Sequence, residues 1–93
     1  MGEVIVTGTL ICRDARERAI VRQYLPVHIE LTLAEPGCLA FEVTQSENDN
    51  EWIVCERFSD AEAFDYHQRR VAQSEWGQVT SGIERDYTIG TTR

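Results

Sequence analysis

From Glu3 to Cys12 the chain reads EVIVTGTLIC: β-branched, apolar and nearly free of charge. That pattern predicts a strand with Val4, Val6, Gly8, Leu10 and Cys12 on one face and Ile5, Thr7, Thr9 and Ile11 on the other. Gly8 in mid-strand weakens pairing and marks a bulge or a close approach. The period changes at Asp14, which with Glu17 has the spacing of a capping box. Val21, Leu25, Ile29 and Leu33 then recur every four residues, the inward stripe of a helix. Pro26 falls inside that helix and predicts a kink or local break. Glu35-Pro36-Gly37 ends it, because Pro36 disfavours helical geometry at Glu35 and Gly37 permits a tight turn.

Alternation returns in Cys38–Gln45, a second strand. The polar run Ser46-Glu47-Asn48-Asp49-Asn50 reads as a hairpin loop. In Glu51–Phe58, the third strand, Trp52, Val54, Glu56 and Phe58 share one face and Ile53, Cys55 and Arg57 the other. Ser59 and Glu62 form a second capping box, opening a helix whose inner stripe is Phe64, His67, Val71 and Ser74. Glu75-Trp76-Gly77-Gln78 closes that helix, and Gly82–Thr91 supplies a last strand through Ile83, Tyr87 and Ile89. The order β-α-β-β-α-β predicts an α+β, ferredoxin-like sandwich, with a four-stranded antiparallel sheet and two helices on one face. The other face is left to water or to a partner. Apolar residues on both faces of the first and third strands favour a partner, and hence a homodimer.

At 93 residues the chain is sized for one domain, residues 1–93, whose thin core an oligomer would help. Sixteen acidic against nine basic residues give a net charge of −7, which argues against nucleic acid and anionic membranes. Cys12, Cys38 and Cys55 are sparse and unclustered, as suits buried thiols in a reducing cytosol. The start MGEVIV lacks the basic region of a signal peptide, and no apolar run approaches the roughly 20 residues of a membrane span. Together these predict a cytosolic protein.

No phosphate loop, GxSxG elbow, HExxH or metal-ligand spacing occurs, and the only histidines are His28 and His67. No metal site is expected. His67, in the apolar stripe of the second helix, points at the sheet. It is either a satisfied core-edge imidazole or, if a cavity lies there, a group that exchanges a proton near neutral pH. His28 reads as a boundary or surface residue. Glu56 either pairs with Arg69 or Arg70 on the next helix or serves a site. Trp52 and Trp76 are core anchors, or walls for a flat ligand.

The turn Glu35-Pro36-Gly37-Cys38-Leu39 followed by Phe41, and Trp52…Glu56-Arg57-Phe58 running into Asp60, Ala63-Phe64 and His67, resemble the antibiotic biosynthesis monooxygenase family of dimeric α/β barrels. The resemblance runs from the first strand to Tyr87. It implies a homodimer packed sheet on sheet, and a monooxygenase without cofactor that oxidises a quinol, anthrone or other small polyphenol with O₂. It puts the family's helix histidine on His67 and its strand glutamate on Glu56. Where a second histidine or small polar residue often stands three positions on, this chain has Arg70. Haem-degrading relatives use an asparagine on the first strand; here Thr7 and Thr9 stand without one, so that branch does not fit. The implied pocket is lined by Phe41, Trp52 and Trp76, with Glu56 and Arg70 close to a catalytic His67. The alternative on the same scaffold is a non-catalytic dimeric binding or accessory protein.

Overall fold

The computed structural model describes residues 2–92. It contains β1 (Val4–Ile11), α1 (Ala15–Leu33), β2 (Cys38–Gln45), β3 (Glu51–Phe58), α2 (Ala61–Gln73), a short α3 (Glu75–Val79) and β4 (Glu84–Thr91). The strands form one antiparallel sheet in the order β2-β3-β1-β4, the split βαβ pairing of a ferredoxin-like fold. Val4 pairs with Phe58 and Val6 with Glu56, so the apolar face expected for β1 meets the Trp52–Phe58 face of β3. Those positions are buried beneath the helices, while Ile53, Cys55 and Arg57 on the opposite face are exposed. Cys55 is therefore not the buried thiol its apolar neighbours suggest.

Three local details depart from the pattern. The buried residues of α1 are Glu17, Val21, Leu25, His28 and Thr32; Ile29 is only half-buried and Leu33 is exposed. Four-residue steps overshoot a full turn by about 40°, so after Leu25 the inward stripe drops back to a three-residue step, taking in His28 instead of Ile29. His28 is thus an interior residue and not a boundary one. Pro26 leaves α1 unbroken as a single helix. The cap of α2 is Asp60, whose carboxylate accepts the Ala63 amide at 2.8 Å, and not Ser59. The Ser59 amide instead donates to the Gly37 carbonyl at 2.8 Å, which keeps Ser59 in the incoming strand path and moves the cap on by one.

The same tie positions the interior. A Cβ on Gly37 would overlap the Ala63 side chain, so glycine there lets α2 close onto the turn between α1 and β2. Residues Glu35 on that turn and His67 and Arg70 on α2 are thereby brought together. The core falls in two clusters. One comprises Leu10, Cys12, Val21, Leu25, Trp52, Val54, Trp76 and Ile83; the other is Val4, Val6 and Phe58, with Phe64 against them. Glu56 lies on β3 between Val54 and Phe58, at the join of the two. No described helix is long and apolar enough to cross a membrane.

Candidate active site

A cavity of about 80 Å³ opens between α2 and the sheet where the two core clusters meet. His28, Phe41, Glu56, His67, Trp76 and Tyr87 border it, with Val6, Val54 and Val71 supplying apolar wall. His67 reaches it from the inward stripe of α2 and is almost wholly buried. Its Nδ1 lies 2.9 Å from Glu35 Oε2, and that carboxylate also accepts from Arg70 Nε at 2.6 Å. The Arg70 guanidinium donates a further bond to Thr32 Oγ1 at 2.9 Å. A carboxylate can only accept, so Nδ1 carries the imidazole hydrogen and Nε2 keeps its lone pair. Burial lowers the His67 pKa, ahead of the opposing pull of the Glu35 hydrogen bond and charge. The ring is neutral near pH 7 and presents an acceptor to the cavity.

Glu56 approaches from β3. Its Oε1 stands 3.8 Å from His67 Nε2, too far for a hydrogen bond and close enough for a shared proton once a ligand atom or water bridges them. Burial, reinforced by the Glu35 charge, raises the Glu56 pKa to about 7, so near neutrality it holds a proton about half the time. The ion pairs considered for it do not form: Arg69 binds Asp65 at 2.6 Å on its own helix, and Arg70 binds Glu35. Tyr87, opposite on β4, is pushed up to about 12 by burial and stays a phenol.

The aromatic walls are set by α1 and α3. His28 stacks on Trp76 with ring centroids 4.6 Å apart and planes 8° from parallel, and meets the Phe41 ring edge-on at 5.3 Å. His28 and His67 centroids are 6.1 Å apart. Desolvation, with the nearby His67, Arg70 and Arg85 charges, lowers the His28 pKa to about 3.

Of the residues singled out in the sequence, Phe41, Glu56, His67 and Trp76 come together on the cavity. Trp52 does not. It sits two pleats along β3 from Glu56, about 13 Å at strand rise, and is absorbed in the first core cluster. Arg70 is not on the wall either; it acts one step out, holding Glu35. Two further residues join the site: Glu35, which in the sequence marks the end of the helix and opens the family-like turn but carries no sign of its partner, and His28, whose signal is the three-residue step that a 3.6-residue period must eventually make. Among the described residues no group of three histidine, cysteine or carboxylate side chains is placed to hold a metal.

Residues 4–78 match the family model of antibiotic biosynthesis monooxygenases. No curated protein matches the sequence. Solved structures share the fold at low identity. The cofactor-independent oxygenase SnoaB from Streptomyces nogalater is 16% identical, with a TM-score of 0.74 over 100% of this chain and 95% of its own. Rv0793 from Mycobacterium tuberculosis is 24% identical, with a TM-score of 0.71 over 98% and 93%. PA3566 from Pseudomonas aeruginosa is 15% identical, with a TM-score of 0.72 over 99% and 93%.

Proposed function

The chain belongs to the antibiotic biosynthesis monooxygenase family, and on that premise we propose that it is a cytosolic, cofactor-independent monooxygenase that oxidises a small electron-rich aromatic such as a quinol with O₂. The observation that carries this reading is the Glu35–His67 pair, an imidazole fixed by a buried carboxylate with its free Nε2 turned to an aromatic-walled cavity.

The chemistry asks little of the protein. His67 Nε2 takes the phenolic proton, and Glu35, held by Arg70, offsets the imidazolium that forms. The phenolate passes one electron to O₂, and the resulting radicals join in a C–O bond to give a ring peroxide. Glu56, when protonated, or the His67 imidazolium returns a proton to the distal oxygen. The O–O bond then breaks as the ring carbon loses its hydrogen, leaving a carbonyl and water. A quinol and O₂ thus become a hydroxyquinone and water, with all four electrons for O₂ drawn from the substrate. The apolar wall limits water at the reacting carbon.

The test is O₂ uptake by metal-free protein with reduced quinones and anthrones. Uptake is expected from the native protein, and His67→Ala should lower turnover by about 10²–10⁴-fold, the usual contribution of a positioned base. Binding of these aromatics without uptake would instead identify a non-catalytic binding protein.

A further inference from the structure

His28 enters none of the steps above, and its surroundings are unusual for a core residue. It is 6% exposed, and its Nδ1 is buried with no hydrogen-bond partner. Buried polar atoms are nearly always paired, because an unmade bond leaves the full desolvation penalty in place. A leucine or phenylalanine would fill the position without that penalty. The imidazole also occupies a particular place: it borders the inner cavity, and on its other side, together with Trp76, it borders a second cavity of about 190 Å³ between α1 and α3, walled by Tyr24, Val27 and Leu31. The stacked His28–Trp76 pair is therefore the partition between the two spaces. Its ring stands 6.1 Å from that of His67, so one small molecule can touch both imidazoles.

We propose that His28 is a specificity-determining residue that binds the second oxygen of a dioxygenated aromatic while His67 receives the first. The inference rests on the reading of the inner cavity as a site for oxygenated aromatics. A neutral imidazole suits this task, since each ring nitrogen can either donate to a carbonyl or accept from a hydroxyl, according to tautomer. It can therefore follow the same oxygen from hydroxyl in the quinol to carbonyl in the product. Burial, reinforced by the nearby Arg70 and Arg85 charges, keeps it neutral across the working pH range, so it does not compete with His67 for the phenolic proton. Trp76 holds the ring flat and fixes its rotation. A single-oxygen phenol would leave the imidazole as unpaired as it is in the free protein, and would be bound without its help.

Anaerobic binding separates this from a packing role, with tryptophan fluorescence as the readout and catechol, hydroquinone and phenol as probes. The native protein should bind at least one of the two diols more tightly than phenol. His28→Phe keeps a flat ring against Trp76 and removes both nitrogens. It should weaken binding of the preferred diol by about 3–10-fold, the usual worth of one neutral hydrogen bond, and leave phenol affinity unchanged. Its melting temperature should equal or exceed that of the native protein, because an unpaired polar atom has been removed from the interior. Loss of diol and phenol affinity by the same factor would overturn the proposal in favour of packing. So would native protein that binds the diols no better than phenol. The binding is read without O₂, so an inactive protein that still prefers diols through His28 would overturn the oxygenase reading and leave this one standing.

Discussion

At the scale of single residues the interior is a chain of dependencies: Arg70 orders Glu35, Glu35 orients His67, and His67 stands 3.8 Å from Glu56 beside it on the cavity wall. Glu35→Gln should keep a hydrogen-bond acceptor near Nδ1 but remove the charge that favours imidazolium. The His67 pKa should then fall further, and turnover should drop while KM changes little; proton NMR of the imidazole through a pH titration, beside steady-state rates, checks both. Glu56 and His28 make opposing contributions to stability. Glu56 ionises near 4.5 when unfolded and about 7 when folded, so the folded state holds its proton longer. Its ionisation therefore removes stability as pH rises from about 4.5 to about 7, by about 3 kcal/mol at most. Glu56→Gln should be the more stable protein at pH 8, and the gap should close by pH 4. For His28 the folded pKa is depressed, so stability is lost as pH falls below 6.5 toward about 3. The advantage of His28→Phe should accordingly widen on acidification. Urea unfolding of the three proteins at stepped pH measures each slope.

Elements are placed by capping and by close approach as much as by apolar stripes. Asp60 and Ser59 are both good cap residues, but only Asp60 accepts the Ala63 amide. Asp60→Ala should cost about 1 kcal/mol and Ser59→Ala distinctly less, since the Ser59 contribution to the Gly37 tie is its backbone amide. Chemical denaturation distinguishes the two. Gly8 is the one non-terminal strand position with a left-handed backbone, at φ 152°, and a Cβ there would overlap the Asp86 carbonyl of the neighbouring edge strand. Gly8→Ala should destabilise by about 1–3 kcal/mol and speed amide exchange selectively in β4, where Tyr87 is carried. Of the bulge or close approach expected at Gly8, the structure shows the close approach, with the strand register unbroken on both sides.

For the molecule as a whole, the helices cover one face of the sheet and leave the other with Ile53 nearly half exposed and Ile5 and Ile11 half-buried beside it. That face is where a second copy is expected, making a two-fold barrel. Light scattering at micromolar concentration should return about twice the 10.6 kDa chain mass. Ile53→Lys should move the protein toward monomer without changing its circular dichroism, since the side chain has no part in the helix-side core. A native mass near that of one chain would rule the arrangement out.

Period alone determined a good deal here. The switch from two to 3.6 and back, twice, carried the order of strands and the two long helices, because side-chain alternation follows from backbone geometry and needs no partner to be read. The inward direction of His67 and Glu56 follows from the same rule, each being the polar member of an apolar stripe. Contacts between distant segments are different. That Glu35 meets His67 across 32 positions, that Arg70 chooses Glu35 over Glu56, and that Trp52 lies too far along its strand to wall the cavity all depend on how closely α2 can approach the turn after α1. That distance is set by the absence of one Cβ at Gly37 and by a backbone bond from Ser59. His28 stands between the two cases: its burial follows from the 3.6-residue period, but its unpaired nitrogen exists only because three elements close around it.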